Sequence, residues 1–491
     1  MRKRFEQQLK VGYVAINDVD FPPYIYKSRD EQPILMRALF HIFTTPELNE
    51  SVFALLESKV NQQKKNTGRP GMDLWQVLVL SILRYTLNSN WDRLVYIANT
   101  DQLLRQILGV ETIKEVGMSA YEFKYQTVID NVSLIDEQTI EEINNIVVTF
   151  GHKLFKKKDE PQLFKADSYV LEKNVHFPTD LNLMWDAVRK CFDTVENIQK
   201  KTPLPGWRKL KSIRKDYKSL FRATSQIVFK GKKEAAKKKQ VKLYLSISNR
   251  CIKRFEQIPN QIMESNCNLN FSATMLALDT YLGYAKKWAD QIERRLIKNE
   301  SIPSQEKIYS MFEPEVEWIT KGKLNKRVEL GHLLLITTNQ YHLIVDYKIM
   351  EKEKDAAQVK PLIDRLKNKF ATQTISSISF DKGFYSQDNY QYAKDAYIGQ
   401  VIMPKKGRKN AEEKERESTK EFKKIRNQHS AIESTINMLE HHGGNKCPDK
   451  GHKNYKKYVG LCVLATNLHI IGKELIRQEK ETLHQKVKRA A

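Results

Sequence analysis

The sequence predicts an α/β protein: a mixed five-stranded sheet core, interrupted by a long helical insertion and preceded by an all-α segment. Three observations carry this. A strand-like segment, QLFKADSYVLEKNVHF from Gln162, has β-branched and aromatic residues in loose alternation. About 150 residues of helical period follow it. From about residue 328 short apolar runs then alternate with helical segments, the pattern of an open α/β sheet.

The first 150 residues read as helical. QPILMRALFHIFTTPELNESVFALLESKV places apolar residues at helical spacing. Gly68, Pro70 and Gly71 make a break, and Asp73 is placed to cap the next helix. A last helix runs from about Asp136 to His152, opened by the capping pattern in SLIDEQTIEEINNI. This domain, 1–150, suits either recognition of a DNA end or dimerisation, and the sequence does not choose between them.

The segment at Gln162 reads as a strand, a turn-like break and a short second extended piece. The insertion, 181–324, opens on a helix capped by Thr179 or Asp180. It is strongly basic, with aromatics interleaved (Trp207, Tyr217, Phe221, Tyr244, Phe255). Taken as a whole, that composition favours a surface that grips a DNA backbone; residue by residue, a solvated helix with aromatics in its core is the commoner outcome. The sheet resumes with VELGHLLLITT and YHLIVDYKIM around Asn339-Gln340, a β-hairpin pattern. A helix near 356–370, the strand SSISFD, a helix in SQDNYQYAKDA and a strand in YIGQVIMP follow. KKGRKNAEEKERESTK reads as a mobile polar loop. Helices are expected at about 421–441 and 455–478, then a frayed basic tail, 479–491. The core is thus 160–180 joined to 325–478.

Charge bounds the partners. Lys and Arg number 83 against 59 Asp and Glu, a formal net charge of +24 over 491 residues. A surface that positive attracts polyanions. No apolar run of about 18 residues and no apolar leader appear, so the expected location is the cytosol, on the nucleoid, with no membrane partner. The five cysteines form no CxxC pair and read as reduced thiols. His441, His442, Cys447 and His452 lie close in sequence, but their spacing is a poor zinc pattern.

With the insertion set aside, the order is β-β-β-α-β-α-β-α, that of the RNase H-like fold. Sites in such sheets lie at the carboxyl ends of strands. Three acids fall there: Asp167 at the end of the first strand, Asp381 at the end of the fourth, and Glu433 on the late helix, beside its apolar stripe of Ile425, Ile432, Ile436 and Leu439. Three carboxylates suit two divalent ions at a phosphodiester, one bridging and two holding singly. Asp180, Asp186, Asp346 and Glu440 are rivals; the first two are assigned to capping and helix structure.

Four pieces carry a family resemblance: KADSYVLEKNVHFPTD, FDKGFYSQDN, VIMPKKG and the helix from Arg426 to Glu433. RVELGHLLL adds to them. With these motifs the chain resembles the DDE transposases of prokaryotic insertion sequences, in particular the ISNCY-type group. The likeness covers roughly 160–190 and 325–470, with a fainter one at about 30–110. It implies that Asp167, Asp381 and Glu433 are the catalytic and metal-binding triad. It also implies two Mg²⁺ ions (Mn²⁺ substituting), terminal inverted repeats and target DNA as partners, and a homodimer or higher oligomer. A DNA-binding protein or a nuclease without strand transfer is the alternative. Asp167 and Asp381 are 214 residues apart, and Asp381 and Glu433 are 52 apart. Some relatives carry Tyr-x2-Arg-x3-Glu-x6-Lys; here Arg426 stands at the Tyr place, His429 at the Arg place and Glu440 at the Lys place. The hairpin-forming chemistry that goes with that signature does not carry over. Candidate DNA contacts are His176, Lys382, Arg426, Lys405, Lys406, Arg208, Lys211 and Arg214.

Overall fold

The computed structural model describes residues 2–490 except 6–13, 23–26, 28–29, 61–70, 88–89, 113–120, 156–159, 265–270, 321–326 and 372. Gly68 and Pro70, the expected helix break, lie outside the described residues. Two compact units emerge: Met1–Asn174 with Ile319–Ala491, and Val175–Trp318.

The first unit is organised by one strand. β1 (Gln162–Lys173) is continuous over twelve residues, where the sequence pattern implied a break. Both its edges are paired, so no turn forms. Its first half runs parallel to β5 (Ile375–Phe380), and Lys165 to Glu172 run antiparallel to β3 (Glu329–Thr338). β3 continues antiparallel into β4 (Ile344–Met350), and β5 runs parallel to β6 (Gln400–Ile402). Among the described residues the sheet has seven strands where five were expected: the main order is β4-β3-β1-β5-β6, and two short strands, β2 (Glu317–Ile319) and β7 (Lys446–Cys447, parallel to the end of β1), complete it. Gly331 is needed where β3 crosses β1: a Cβ there would stand 2.1 Å from the Leu171 carbonyl oxygen. The hairpin turn is wider than Asn339-Gln340. Asn339 N–H donates to Leu343 O, and the Asn339 side-chain oxygen accepts from the Tyr341 and Leu343 amides, both at 3.0 Å. That Asx network stabilises a longer loop.

Residues alternate across the sheet. Phe164, Ala166, Ile378 and Phe380 face a cluster shared with Val359, Leu362, Ile363 and Leu366 of α13 (Asp355–Lys369). The other face, with Tyr169, Leu171 and Ile336, joins a larger cluster. That cluster includes α1 (Glu31–Thr44), α3 (Leu74–Thr86), α7 (Glu137–Phe155) and α18 (His452–Ala490). The helices that the sequence marks off as 1–150 therefore share a core with the sheet and the last helix. α7 is capped by Asp136, whose Oδ1 accepts from Thr139 N at 2.9 Å. Asp73 holds the N-cap position of α3 without a side-chain capping bond. α18 runs to Ala490, so the expected frayed tail is helical. It is long and apolar enough to cross a membrane by length and composition, contrary to the expectation that no such run exists; 89% of its apolar window is buried inside the protein.

Residues 405–420 also depart from expectation. Ala411–Ser418 is a helix, α15, closed by a capping box between Asn410 and Glu413. Lys405 and Lys409 pair with the buried carboxylates of Glu413 and Glu417 at 2.8 and 2.5 Å. Ion pairs and a cap hold a segment whose pattern offers no apolar stripe. α16 (Lys420–His429) and α17 (Ala431–Leu439) follow, and Glu440–Gly444 makes a π turn.

The second unit is helical: α8 (Asp180–Gln199), α9 (Leu210–Lys230), α10 (Glu234–Glu256), α11 (Ile258–Glu264) and α12 (Ser272–Leu296). Thr179 caps α8, accepting from Asn182 N at 3.1 Å. Its core holds Trp207, Tyr217, Tyr244 and Phe255, with Phe221 packed against it. The interleaved aromatics are therefore core residues rather than a DNA-gripping surface, while the lysines between them stay outside.

Candidate functional site

The β1–β5 register builds the site. Lys165 pairs with Ser379 and Ala166 with Phe380, so Asp167 and Asp381 are the next residues along two adjacent parallel strands. Both are odd-numbered positions on strands whose even positions face α13, so they occupy the opposite face, the one on which α17 meets β1 and α16 meets β5. Asp381 is exposed and opens a 3-10 turn, Lys382–Phe384. Asp167 is half-buried, and its Oδ1 accepts from Ser168 N at 2.7 Å.

Glu433 lies in the first turn of α17 and is exposed. Ile432, Thr435 and Leu439 bury the inner side of that helix. Among the described residues, no three His, Cys, Asp or Glu side chains stand close enough to hold a metal ion. The β1–β5 register brings the two aspartates to neighbouring positions, and together with Glu433 they do not form a set of three close enough to hold an ion. Asp381 follows the end of β5, whereas Asp167 lies inside β1 and not at its end as the sequence suggested, because pairing with β3 carries the strand on to Lys173; both are hard oxygen donors, which suits a divalent cation.

Sequence reasoning passed over two neighbours. His429 ends α16, one helical turn before Glu433. Its Nδ1 is 2.9 Å from the Ser379 hydroxyl, two residues before Asp381. Burial pushes the imidazole down to about 4, against the opposing charge of Asp381, so it is neutral near pH 7. Its Nε2 is buried without a hydrogen-bond partner among the described residues. The signal was present: His429 occupies a signature position before Glu433. The second neighbour is Asp355, at the start of α13. Its Oδ1 accepts from the Ser168 hydroxyl at 2.7 Å, and a Cβ on Gly383 would lie 3.1 Å from its Oδ2. Asp355 thus ties β1 to the glycine turn after Asp381. No sequence pattern marks it.

The rivals resolve. Asp346 accepts a forked pair from Arg365, with contacts of 2.8 and 3.1 Å. Asp180 accepts from Arg295 at 2.6 Å, and Asp186 from His176 and Arg189 at 2.6 and 3.1 Å. Of the basic candidates, Lys382, Arg426, Lys406, Arg208 and Lys211 are exposed. Lys405 is engaged with Glu413, Arg214 with Asp193 at 2.8 Å, and His176 with Asp186, which raises its pKa. Around the weak zinc pattern, Cys447 reaches Asp449 O, His452 binds Glu351 at 2.8 Å, and the His442 ring lies tilted against His469, centroids 4.8 Å apart.

Asp167 and Asp381 thus stand on neighbouring parallel strands of a mixed sheet in an α/β unit. Residues 301–468, about a third of the chain, match the family model described as the transposase DDE domain, which supports the resemblance to DDE transposases of insertion sequences. Asp381 and Glu433 fall inside the matched stretch, and Asp167 falls before it. No curated protein and no solved structure matches the chain.

Proposed function

We propose that this chain is an active transposase. On this reading it binds the terminal inverted repeats of its element, hydrolyses the phosphodiester at each end, and joins the freed 3′-hydroxyl to target DNA. The observation that carries it is the β1–β5 register, which sets Asp167 beside Asp381 on an order of strands, β4-β3-β1-β5-β6, that fits an RNase H-like core. Asp167 and Asp381 would hold divalent metal, Mg²⁺ or Mn²⁺, with Glu433 as the third donor. Bound there, two such ions supply activation of the attacking oxygen and charge relief at the leaving one.

The chain's own residues do the rest. Ser168 and Asp355 hold β1 to the turn that follows Asp381. His429, neutral and buried, fixes α16 to Ser379 and so orients the first turn of α17. Lys382, Lys406 and Arg426 are exposed in this unit and would meet DNA phosphate; Arg208 and Lys211 would do so from the helical unit. The helices before β1 serve end recognition or assembly of a dimer or higher oligomer.

The test is a cutting and joining assay on a labelled duplex carrying the DNA that flanks the gene, in Mg²⁺, Mn²⁺ and EDTA. Asp381→Ala and Glu433→Ala should lose metal-dependent nicking and joining while binding the duplex like the wild type. Nicking without joined products would favour a nuclease, and tight binding with no cutting in either metal a DNA-binding derivative. Loss of binding and cutting together in Asp381→Ala would make that aspartate structural.

A further inference from the structure

The helical unit concentrates positive charge in one stretch. Residues 201–255 contain 18 Lys and Arg but only two acids, Asp216 and Glu234. α9 sorts this charge by face. Leu210, Tyr217 and Thr224 are buried, and Ile213, Leu220 and Phe221 pack against the same core. Lys211, Lys215, Lys218 and Arg222 recur at i, i+4, i+7 and i+11, so they share the outward side of the helix. All four are exposed. Among the described residues none of the four has an acidic partner, whereas Arg214, off the stripe, is bound by Asp193 and Glu196. Asp216 is turned away from the row. α10 exposes Lys242, Arg250 and Lys253 on one side in the same way.

Like charges at helical i,i+4 spacing repel. Four uncompensated cations in a row therefore cost the free protein stability, and a polyanion relieves that cost. The row is about 16 Å long at 1.5 Å per residue, close to the axial rise of five base pairs. Lysine is a point charge that meets phosphate without choosing a base. We infer that the outer face of α9, through Lys211, Lys215, Lys218 and Arg222, is a sequence-independent binding surface for the backbone of double-stranded DNA. This rests on the reading that the chain acts on DNA, and it assigns that surface to a helix outside the unit that holds the acids.

The test measures binding of the full chain in EDTA, so no turnover enters. Two 30-base-pair duplexes are used, one with the DNA flanking the gene and one of scrambled sequence, between about 50 and 200 mM salt. The triple variant Lys215→Ala, Lys218→Ala, Arg222→Ala keeps helix propensity, since alanine is the best helix former. A circular-dichroism melt checks its fold. Its log K against log salt slope should be shallower by about 2 to 3 on both duplexes, at about 0.9 for each phosphate no longer neutralised. A control with the same charge change, Lys480→Ala, Lys486→Ala, Lys488→Ala on exposed α18, should keep the wild-type slope. Equal slopes in wild type and α9 variant, or equally shallow slopes in variant and control, would overturn the proposal. So would a shallower slope on RNA of the same length and not on duplex DNA. Asp381→Ala should keep the full slope, so failure here and failure of the catalytic reading are separable.

Discussion

Asp346 and Asp381 are both sheet-borne aspartates, and the fold assigns them opposite fates. Asp346 shares a lateral row with Thr337 and Ala166, the face covered by α13. There its carboxylate, 6% exposed, takes the Arg365 fork. Removing one partner of a buried pair leaves the other charge uncompensated and costs about 3–5 kcal/mol. Arg365 is 34% exposed and can turn toward water, so the lower end, about 3 kcal/mol, applies to Asp346→Ala. The unit holds 347 residues, 174 before Val175 and 173 from Ile319. At about 2.1 cal/mol/K per residue its unfolding entropy is about 0.7 kcal/mol/K, so the melting temperature should fall by about 4 °C. Differential scanning calorimetry reads that shift, and the metal-dependent nicking assay is run alongside. Nicking per folded molecule should stay near wild type. Asp381, exposed and free of such a fork, should show the converse: an unchanged melt and lost nicking. An Asp346→Ala protein that melts like wild type and no longer cuts would refute the assignment of faces, and with it the choice of acids.

Two further outcomes follow from buried histidines. His429→Leu removes the bond to Ser379, and nicking should fall about 10- to 100-fold, the usual range for a group that orients metal ligands. Duplex binding in EDTA should stay unchanged, and His429→Gln should restore part of the rate, whereas loss of binding would make the residue merely structural. His469 is buried against His442, and burial, aided by His442 and Lys473, pushes its pKa down to about 3 from 6.5. Depression of a histidine means that the unfolded chain takes the proton first. Its contribution is therefore whole above pH 6.5 and is lost as pH falls toward 3, at up to about 1.4 kcal/mol per pH unit. Urea melts at pH 7 and pH 5 should show a smaller drop in His469→Leu than in wild type, and equal drops would refute the assignment.

How much of this was legible depended on periodicity. β5 and α13 were readable within a residue or two because apolar spacing and local breaks agree. Asp167 and Asp381 were legible for the same reason: each sits at a determinable place on a strand. α15 was not, because its stability comes from Asn410–Glu413 capping and from lysines pairing with buried glutamates, which sequence alone shows only as a charged run. The unbroken β1 was missed because Asp167-Ser168 looks like a turn until both edges are known to be paired. The aromatics of α9 and α10 were assigned to the wrong surface: composition counts them, whereas helical phase places Tyr217 inside and Lys218 outside. Asp355 was invisible because its role is a tertiary contact with Ser168 and Gly383.

The split of the acids across the chain follows from β1. That strand receives its register from β3, β5 and β7, all of which come after residue 328. Asp167 therefore cannot be positioned until the chain beyond the helical unit has been made. The domain match begins at residue 301 and so omits the first acid. Strand pairing also separates Glu433 from the aspartates in kind. Asp167 and Asp381 are fixed by backbone pairing of the strands that carry them. Glu433 rides on nine residues bounded by the break at Ser430 and by the π turn, where Gly443 takes φ 89°. Its placement depends on Ile432, Thr435 and Leu439 packing beneath it and on the His429–Ser379 bond beside it. Of the three acids it is the one carried by a helix and not by paired strands.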